Sequence, residues 1–191
     1  MATTVEPTRT ASTAAPAVPT AWYRNRQRYI MAAAALAAAV AVVAWFIIAS
    51  GKRKEEFAAR SLNQARAAAE AGNLPLASSE LQKLISAYKG TDAASEAVIT
   101  LNQVRMINGQ NELAVVGLRE FLSSNPSEQY RTPAYGLLAA ALENAKNWEE
   151  AGKAYTQASN TAEVEYLKAQ YLVDAGRAYR LGGKLEEAAR A

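Results

Sequence analysis

From Tyr29 to Gly51 the chain runs for 23 residues without a charged side chain, between Arg28 and Lys52. A helix of that length rises roughly 35 Å, against a hydrocarbon core of about 30 Å. The stretch holds no Pro, and its one Gly is Gly51, so a helix can satisfy its own backbone polar groups in lipid. The pattern predicts a single transmembrane anchor with its flanks over residues 22–54. A cleaved secretory signal is the competing reading, because Arg24, Arg26 and Arg28 form a basic region and Ala49-Ser50-Gly51 resembles a cleavage site. Signal cores run only about 7–15 residues, which favours a retained anchor. Trp22, Tyr23 and Tyr29 before the span, and Trp45 and Phe46 near its end, stand where interfacial aromatics are expected.

Ten of the 23 residues are Ala, and Ala33, Ala37 and Ala41 recur at four-residue spacing. Small side chains at that spacing let a second helix approach closely, so this face is expected to pack against a membrane partner. An alanine-rich composition with no packing role explains the same pattern equally well. Past Lys54 the apolar positions follow a helical period, with no alternating β-branched run. The span is expected to continue outward as one long helix with a hinge at Gly51, followed by helix, turn, helix to the end.

The turns Gly72-Asn73-Leu74, Gly109-Gln110-Asn111, Lys146-Asn147-Trp148 and Gly183-Lys184-Leu185 begin 37 residues apart, the mark of a repeat array. Five residues after each turn starts comes a small residue: Ala77, Ala114, Ala151 and Ala188. Leu81, Leu118 and Tyr155 stand four further on, then Leu84, Phe121 and Ala158. Antiparallel helices pack closely when a small residue sits at their crossing and larger ones lie a turn away. In the first helices the complement is Tyr135, Leu138, Ala139 and Leu142, repeated as Leu172, Ala175, Gly176 and Tyr179.

With these residues the chain resembles the tetratricopeptide repeat family, and Asn147-Trp148-Glu149-Glu150-Ala151 with Tyr155 and Ala158 carries the resemblance best. The pattern departs from the family at Ser61, Gln64, Ala65 and Ala68 in the first pair, at Asn102 and Arg105 in the second, and at Lys146 in place of a turn glycine. The period also exceeds the usual unit of about 34 residues, through longer first helices or longer loops. The resemblance implies an all-α fold: one N-terminal transmembrane helix, then an α-solenoid of about four helix pairs over 55–191. The last pair is incomplete, and the chain is expected to continue past Ala191.

Composition then narrows the function. Residues 1–54 hold seven Lys or Arg against one acid, whereas residues 55–191 hold 14 against 17 acids. The overall charge of +3 is therefore a property of the membrane flanks, and no cationic footprint for nucleic acid is expected on the domain. There is no Cys and no His, which removes thiolate chemistry and the usual general base and metal ligand. No catalytic residue, metal, cofactor or small-molecule substrate is expected. Glu149-Glu150 and Glu186-Glu187 suit exposed helix starts, Gly182-Gly183 reads as a turn, and Tyr155 and Tyr179 read as core. Residues 1–21, rich in Ala, Thr and Ser with Pro7, Pro16 and Pro19, are expected to be disordered alone.

By the resemblance, the working surface is the concave face of the first helices. There Leu62, Arg66, Glu96, Ile99, Gln103, Met106, Glu143, Arg177 and Arg180 would meet an extended or helical protein segment. The layout is similar to the single-span ancillary subunits of the bacterial SecY translocon, which implies the inner membrane and a repeat domain facing the periplasm. Charge leaves the orientation open, with three Arg before the span and Lys52, Arg53, Lys54 and Arg60 after it. Two roles follow for a non-catalytic scaffold bound to the bilayer and to other membrane subunits. One is a transient adaptor between the translocation machinery and chaperones or clients. The other is a permanent structural subunit of an energy-transducing or photosynthetic complex.

Overall fold

Four turns at one spacing organise the chain beyond the span. In the computed structural model, which describes Thr20–Ala191 and the side chains of Arg26 and of residues 28–191, each of those turns closes a helix in the same way. The first residue of each lies at positive φ: Gly72 at 79°, Gly109 at 73°, Lys146 at 61° and Gly183 at 74°. The amide of the residue after it reaches back to a carbonyl five positions earlier. Asn73 N–H bonds Ala68 O at 2.9 Å, and Gln110, Asn147 and Lys184 bond Arg105, Leu142 and Tyr179 at 2.8 Å. This is the Schellman closure, which satisfies carbonyls that a helix end would otherwise leave open. Lys146 makes it as the three glycines do, in a region that disfavours a side chain by about 1–2 kcal/mol.

The helices, in order, are α1 (Thr20–Glu70), α2 (Leu74–Ala87), α3 (Asp92–Ile107), α4 (Asn111–Ser123), α5 (Glu128–Asn144), α6 (Trp148–Thr161), α7 (Glu165–Leu181) and α8 (Leu185–Arg190). There is no strand among the described residues, so the fold is all-α. The first helices α3, α5 and α7 have 16 or 17 residues and the second helices α2, α4 and α6 have 13 or 14. Of the two sources of extra length that the period allowed, the longer first helix is thus present. The chain divides into two units, one ending at Ile48 and one covering Ala49–Ala191. The expectation of disorder for residues 1–21 falls outside the described residues for its first 19; Thr20 and Ala21 are helical.

In the first unit, α1 is the one described helix long and apolar enough to cross a membrane. Every described side chain from Arg28 to Ile48 is exposed. The helix runs on through Gly51, as the expected continuation of the span into one long helix requires. A single glycine inside a helix keeps its backbone hydrogen bonds and costs only about 1 kcal/mol relative to alanine, too little to end a helix of this length.

In the second unit, consecutive helices from α2 to α8 pack against each other and α3 also touches α5. The small residues expected at the crossings are fully buried at Ala77, Ala114 and Ala151, and Leu81 and Leu118 beside them are equally closed. Burial of one such leucine contributes about 1.5–3 kcal/mol. Two apolar clusters result. One joins Ala58, Leu62 and Ala65 of α1 to Leu81 and Leu84 of α2 and to Ala97, Leu101 and Val104 of α3. The other runs through α4, α5, α6 and α7 around Leu118, Leu138, Leu142, Tyr155 and Tyr179.

Glycines make three of the close approaches. A Cβ on Gly152 would stand 2.6–2.8 Å from ring carbons of Tyr179, and one on Gly136 would stand 2.7 Å from the Tyr171 hydroxyl. At the α3–α4 crossing, Gly117 faces Asn102 and Arg105, each with an atom 2.7 Å from where a Cβ would be. That crossing explains how α3 carries Asn102 and Arg105 where a small and an apolar residue were expected. The missing side chain on α4 makes the room. Asn102 is fully buried and satisfied: its amide donates to Val98 O at 2.8 Å, and its oxygen accepts from Arg105 Nη1 at 3.0 Å. Burial lowers the pKa of the Arg105 guanidinium.

Candidate partner-binding surface

The first-helix residues singled out from the sequence come together in pairs. Arg66 on α1 reaches Glu96 on α3 at 2.6 Å and comes within 3.5 Å of the Thr100 hydroxyl. Two units further along, Arg177 on α7 grips both carboxylate oxygens of Glu143 on α5 and also bonds Asp174 at 3.0 Å. Tyr155 on α6 donates its hydroxyl to Glu143 Oε2 at 2.9 Å. The Glu143 side chain is only 15 % exposed, so its charge depends on these donors. The same contacts raise the Arg177 pKa, led by its hydrogen bond to Glu143. Burial, followed by the bond to Glu143, pushes the Tyr155 phenol well above its ordinary range.

These two nodes answer each other's charge internally. A row of cations that could clamp a terminal carboxylate is therefore not assembled from Arg66 and Arg177. Of the other residues, Gln103 and Arg180 are exposed and Ile99 is half-buried. Met106 is half-buried and packs against the second apolar cluster.

Leu62 requires a correction, since it is 3 % exposed and belongs to the first cluster instead of a groove. The inward line of α1 is Ala58, Leu62 and Ala65, while Gln64 is exposed; 37 residues on, Leu101 is buried and Ile99 is only half-buried. The face of α1 is thus turned relative to that of α3, and the 37-residue alignment does not carry over to it. The apparent degeneracy of the first pair at Ser61 and Gln64 has the same origin.

Between α4, α5 and α6 lies a cleft that sequence reasoning missed. It measures about 320 Å³, with Leu138 and Leu142 of α5 and Ala154 of α6 at its floor. An ion pair between Arg119 of α4 and Glu150 of α6 lines it, beside Lys153. Charges 31 positions apart on two exposed helix faces leave no periodic signature, so only the fold could reveal the pairing. Glu149 likewise bonds Lys153 at 2.7 Å and Lys184 at 3.1 Å, and both partners lower its pKa. Glu149 and Glu150 lie in the first turn of α6 and Glu186 and Glu187 in the first turn of α8, where acids were expected; of these, Glu150 bridges to another helix and Glu149 to the turn before α8, while Glu186 pairs with Arg190 within α8. Gly182-Gly183 forms a turn, and Tyr155 and Tyr179 are core residues. Ala33, Ala37 and Ala41 are exposed on the span, and a separate apolar hollow there is lined by Ala39, Val40, Val43, Ala44 and Ile47.

In comparisons with known proteins, no family model matches this chain and no curated protein matches it.

Proposed function

We propose that this chain is a non-catalytic, membrane-anchored scaffold, an accessory subunit that presents a tetratricopeptide-type helical array to other proteins of a bacterial inner-membrane complex. The observation that carries this reading is the repetition of one helix-turn-helix unit, with one turn closure, in a chain that also holds a helix long and apolar enough to cross a membrane. The ionisable side chains of the array add to it. Arg66, Glu96, Glu143, Arg177, Arg119, Glu150 and Glu149 all hold helices together, which is the work of a scaffold.

The partner surface in this reading is the first-helix face with Gln103, Met106, Ile99 and Arg180. The alanine face of Ala33, Ala37 and Ala41 packs on the membrane subunits, and the array faces the periplasm. Extraction in mild detergent, followed by native electrophoresis and mass spectrometry of what co-migrates, tests it. A subunit migrates with its complex in fixed ratio after dilution and washing. Recovery of the full chain from the soluble fraction after gentle lysis defeats the anchor, and migration as a free monomer defeats the scaffold.

A further inference from the structure

Arg66, Arg119 and Arg177 each meet a carboxylate on another helix, whereas Arg105 meets none among the described residues. Its Nη1 donates to Asn102 Oδ1 at 3.0 Å and comes within 3.5 Å of Leu113 O on α4. The other edge of the guanidinium, Nε with Nη2, makes no hydrogen bond among the described residues, and the side chain is half-buried. The N–H groups on that edge point the same way, as a fork that takes both oxygens of a carboxylate. A partly desolvated cation without an acid costs stability, and an incoming carboxylate recovers it.

The side chains around Arg105 describe the rest of the partner. Gly117 of α4 lets the guanidinium lie against that helix, since a Cβ there would stand 2.7 Å from Nη1. One turn before Gly117, Leu113 is 48 % exposed, and Val116 beside it is 61 % exposed. Glu112 and Glu120 lie one turn to either side of Val116, are exposed, and form no ion pair among the described residues. The other charges of α2, α3 and α4 are answered: Lys83 takes Glu80, Glu96 takes Arg66, Arg119 takes Glu150, and Asp92 accepts from Gln129. What stays open is one cation beside apolar side chains, with an acid at each end.

We infer that the α3–α4 crossing docks an amphipathic helix of a partner protein, which places one carboxylate on Arg105, apolar side chains on Leu113 and Val116, and Lys or Arg toward Glu112 and Glu120. The occupant follows from charge complementarity, and a helix carries all three kinds of group at spacings of three and four residues. Arg105 stands two residues past Gln103, on roughly the opposite side of α3. The site is thus a second partner surface, and it stands or falls without the first-helix face.

Full-length protein in phosphatidylcholine discs is titrated with fluorescent helical peptides of about 16 residues, leucine on one face and lysine along its edges, with a single glutamate moved through that face. Anisotropy with empty discs gives the lipid background. At least one register is expected to bind, and its counterpart with glutamine in place of the acid to bind about tenfold more weakly. Arg105→Gln keeps a donor for Asn102; it is expected to lose the same tenfold or so with the glutamate peptide and nothing further with the glutamine one. Lys168→Gln, which removes a positive charge on α7, is expected to change nothing. Unchanged unfolding transitions check the fold. Val116→Glu, at an exposed position, is expected to weaken binding by about tenfold as well and carries the test alone where Arg105→Gln does not fold. No register binding above empty discs, equal binding of the glutamate and glutamine peptides, or binding indifferent to these substitutions overturns the inference and leaves the first-helix surface untouched.

Discussion

Replacement of Gly152 by Ala sets two forces of opposite sign against each other. In the interior of α6 an alanine is favoured over glycine by about 1 kcal/mol, so helix propensity alone makes the variant more stable. Packing says otherwise. The new Cβ stands 2.6, 2.7 and 2.8 Å from three ring carbons of Tyr179, where carbon atoms rest at about 3.5–4.0 Å. The ring has to retreat by roughly 1 Å. It has little freedom to do so, because Tyr179 is 9 % exposed and its carbonyl holds the Lys184 amide in the turn that follows. Overpacking of this kind costs about 1–3 kcal/mol, and with the two rigid elements pinned we place it at the upper end. The net expectation is a loss of about 1–2 kcal/mol, or about 3–5 °C in midpoint for a chain of this size. Urea and thermal unfolding of the detergent-solubilised full chain, followed by circular dichroism, measures it. In a Tyr179→Leu background the same change is expected to become stabilising, giving a coupling of about 2–3 kcal/mol in the double-mutant cycle. A wild-type background in which Gly152→Ala raises stability refutes the crossing described for α6 and α7.

Other expectations follow from the same contacts. Lys146→Gly relieves a side chain at positive φ and is expected to stabilise by about 0.5–1 kcal/mol after the entropy of the unfolded glycine is counted, read as a rise in urea midpoint. Tyr155→Phe removes the hydroxyl that Glu143 accepts and is expected to cost about 1 kcal/mol, whereas a zero effect in denaturant titration counts against that bond. The folded Tyr155 pKa is raised, so its contribution is complete below the unfolded value of about 10 and is lost as pH rises beyond it. Wild type is therefore expected to lose stability more steeply than Tyr155→Phe above pH of about 10, and parallel curves contradict the assignment. Ala37→Leu is expected to weaken co-purification with the membrane subunits without changing the unfolding midpoint, and unchanged co-purification leaves the span as a plain tether. Arg180→Glu with Gln103→Glu is expected to reduce partner capture on the first-helix face, as measured by crosslinking in membranes; undiminished crosslinking moves the contact elsewhere.

Local rules along the chain were enough to determine the apolar span, the helix pairs and the 37-residue unit. Each rests on near neighbours: an uncharged run long enough for lipid, helical periodicity, and a turn whose backbone requires positive φ. Lys146 was legible as a turn because its neighbours kept the spacing, even though the glycine was absent. The alignment failed at Leu62, because which face of α1 turns inward depends on α2 and α3 and leaves no trace in a spacing. Asn102 and Arg105 looked like defects until Gly117 of the next helix was set opposite them. The charges of the expected groove could be placed on one face from the sequence, yet that Arg66 meets Glu96 and Arg177 meets Glu143 depends on helices brought together from 30 and 34 residues apart. Tertiary structure alone decided these matters, because a buried charge or a missing Cβ takes its meaning from what stands across the contact, and that is set by how whole helices cross.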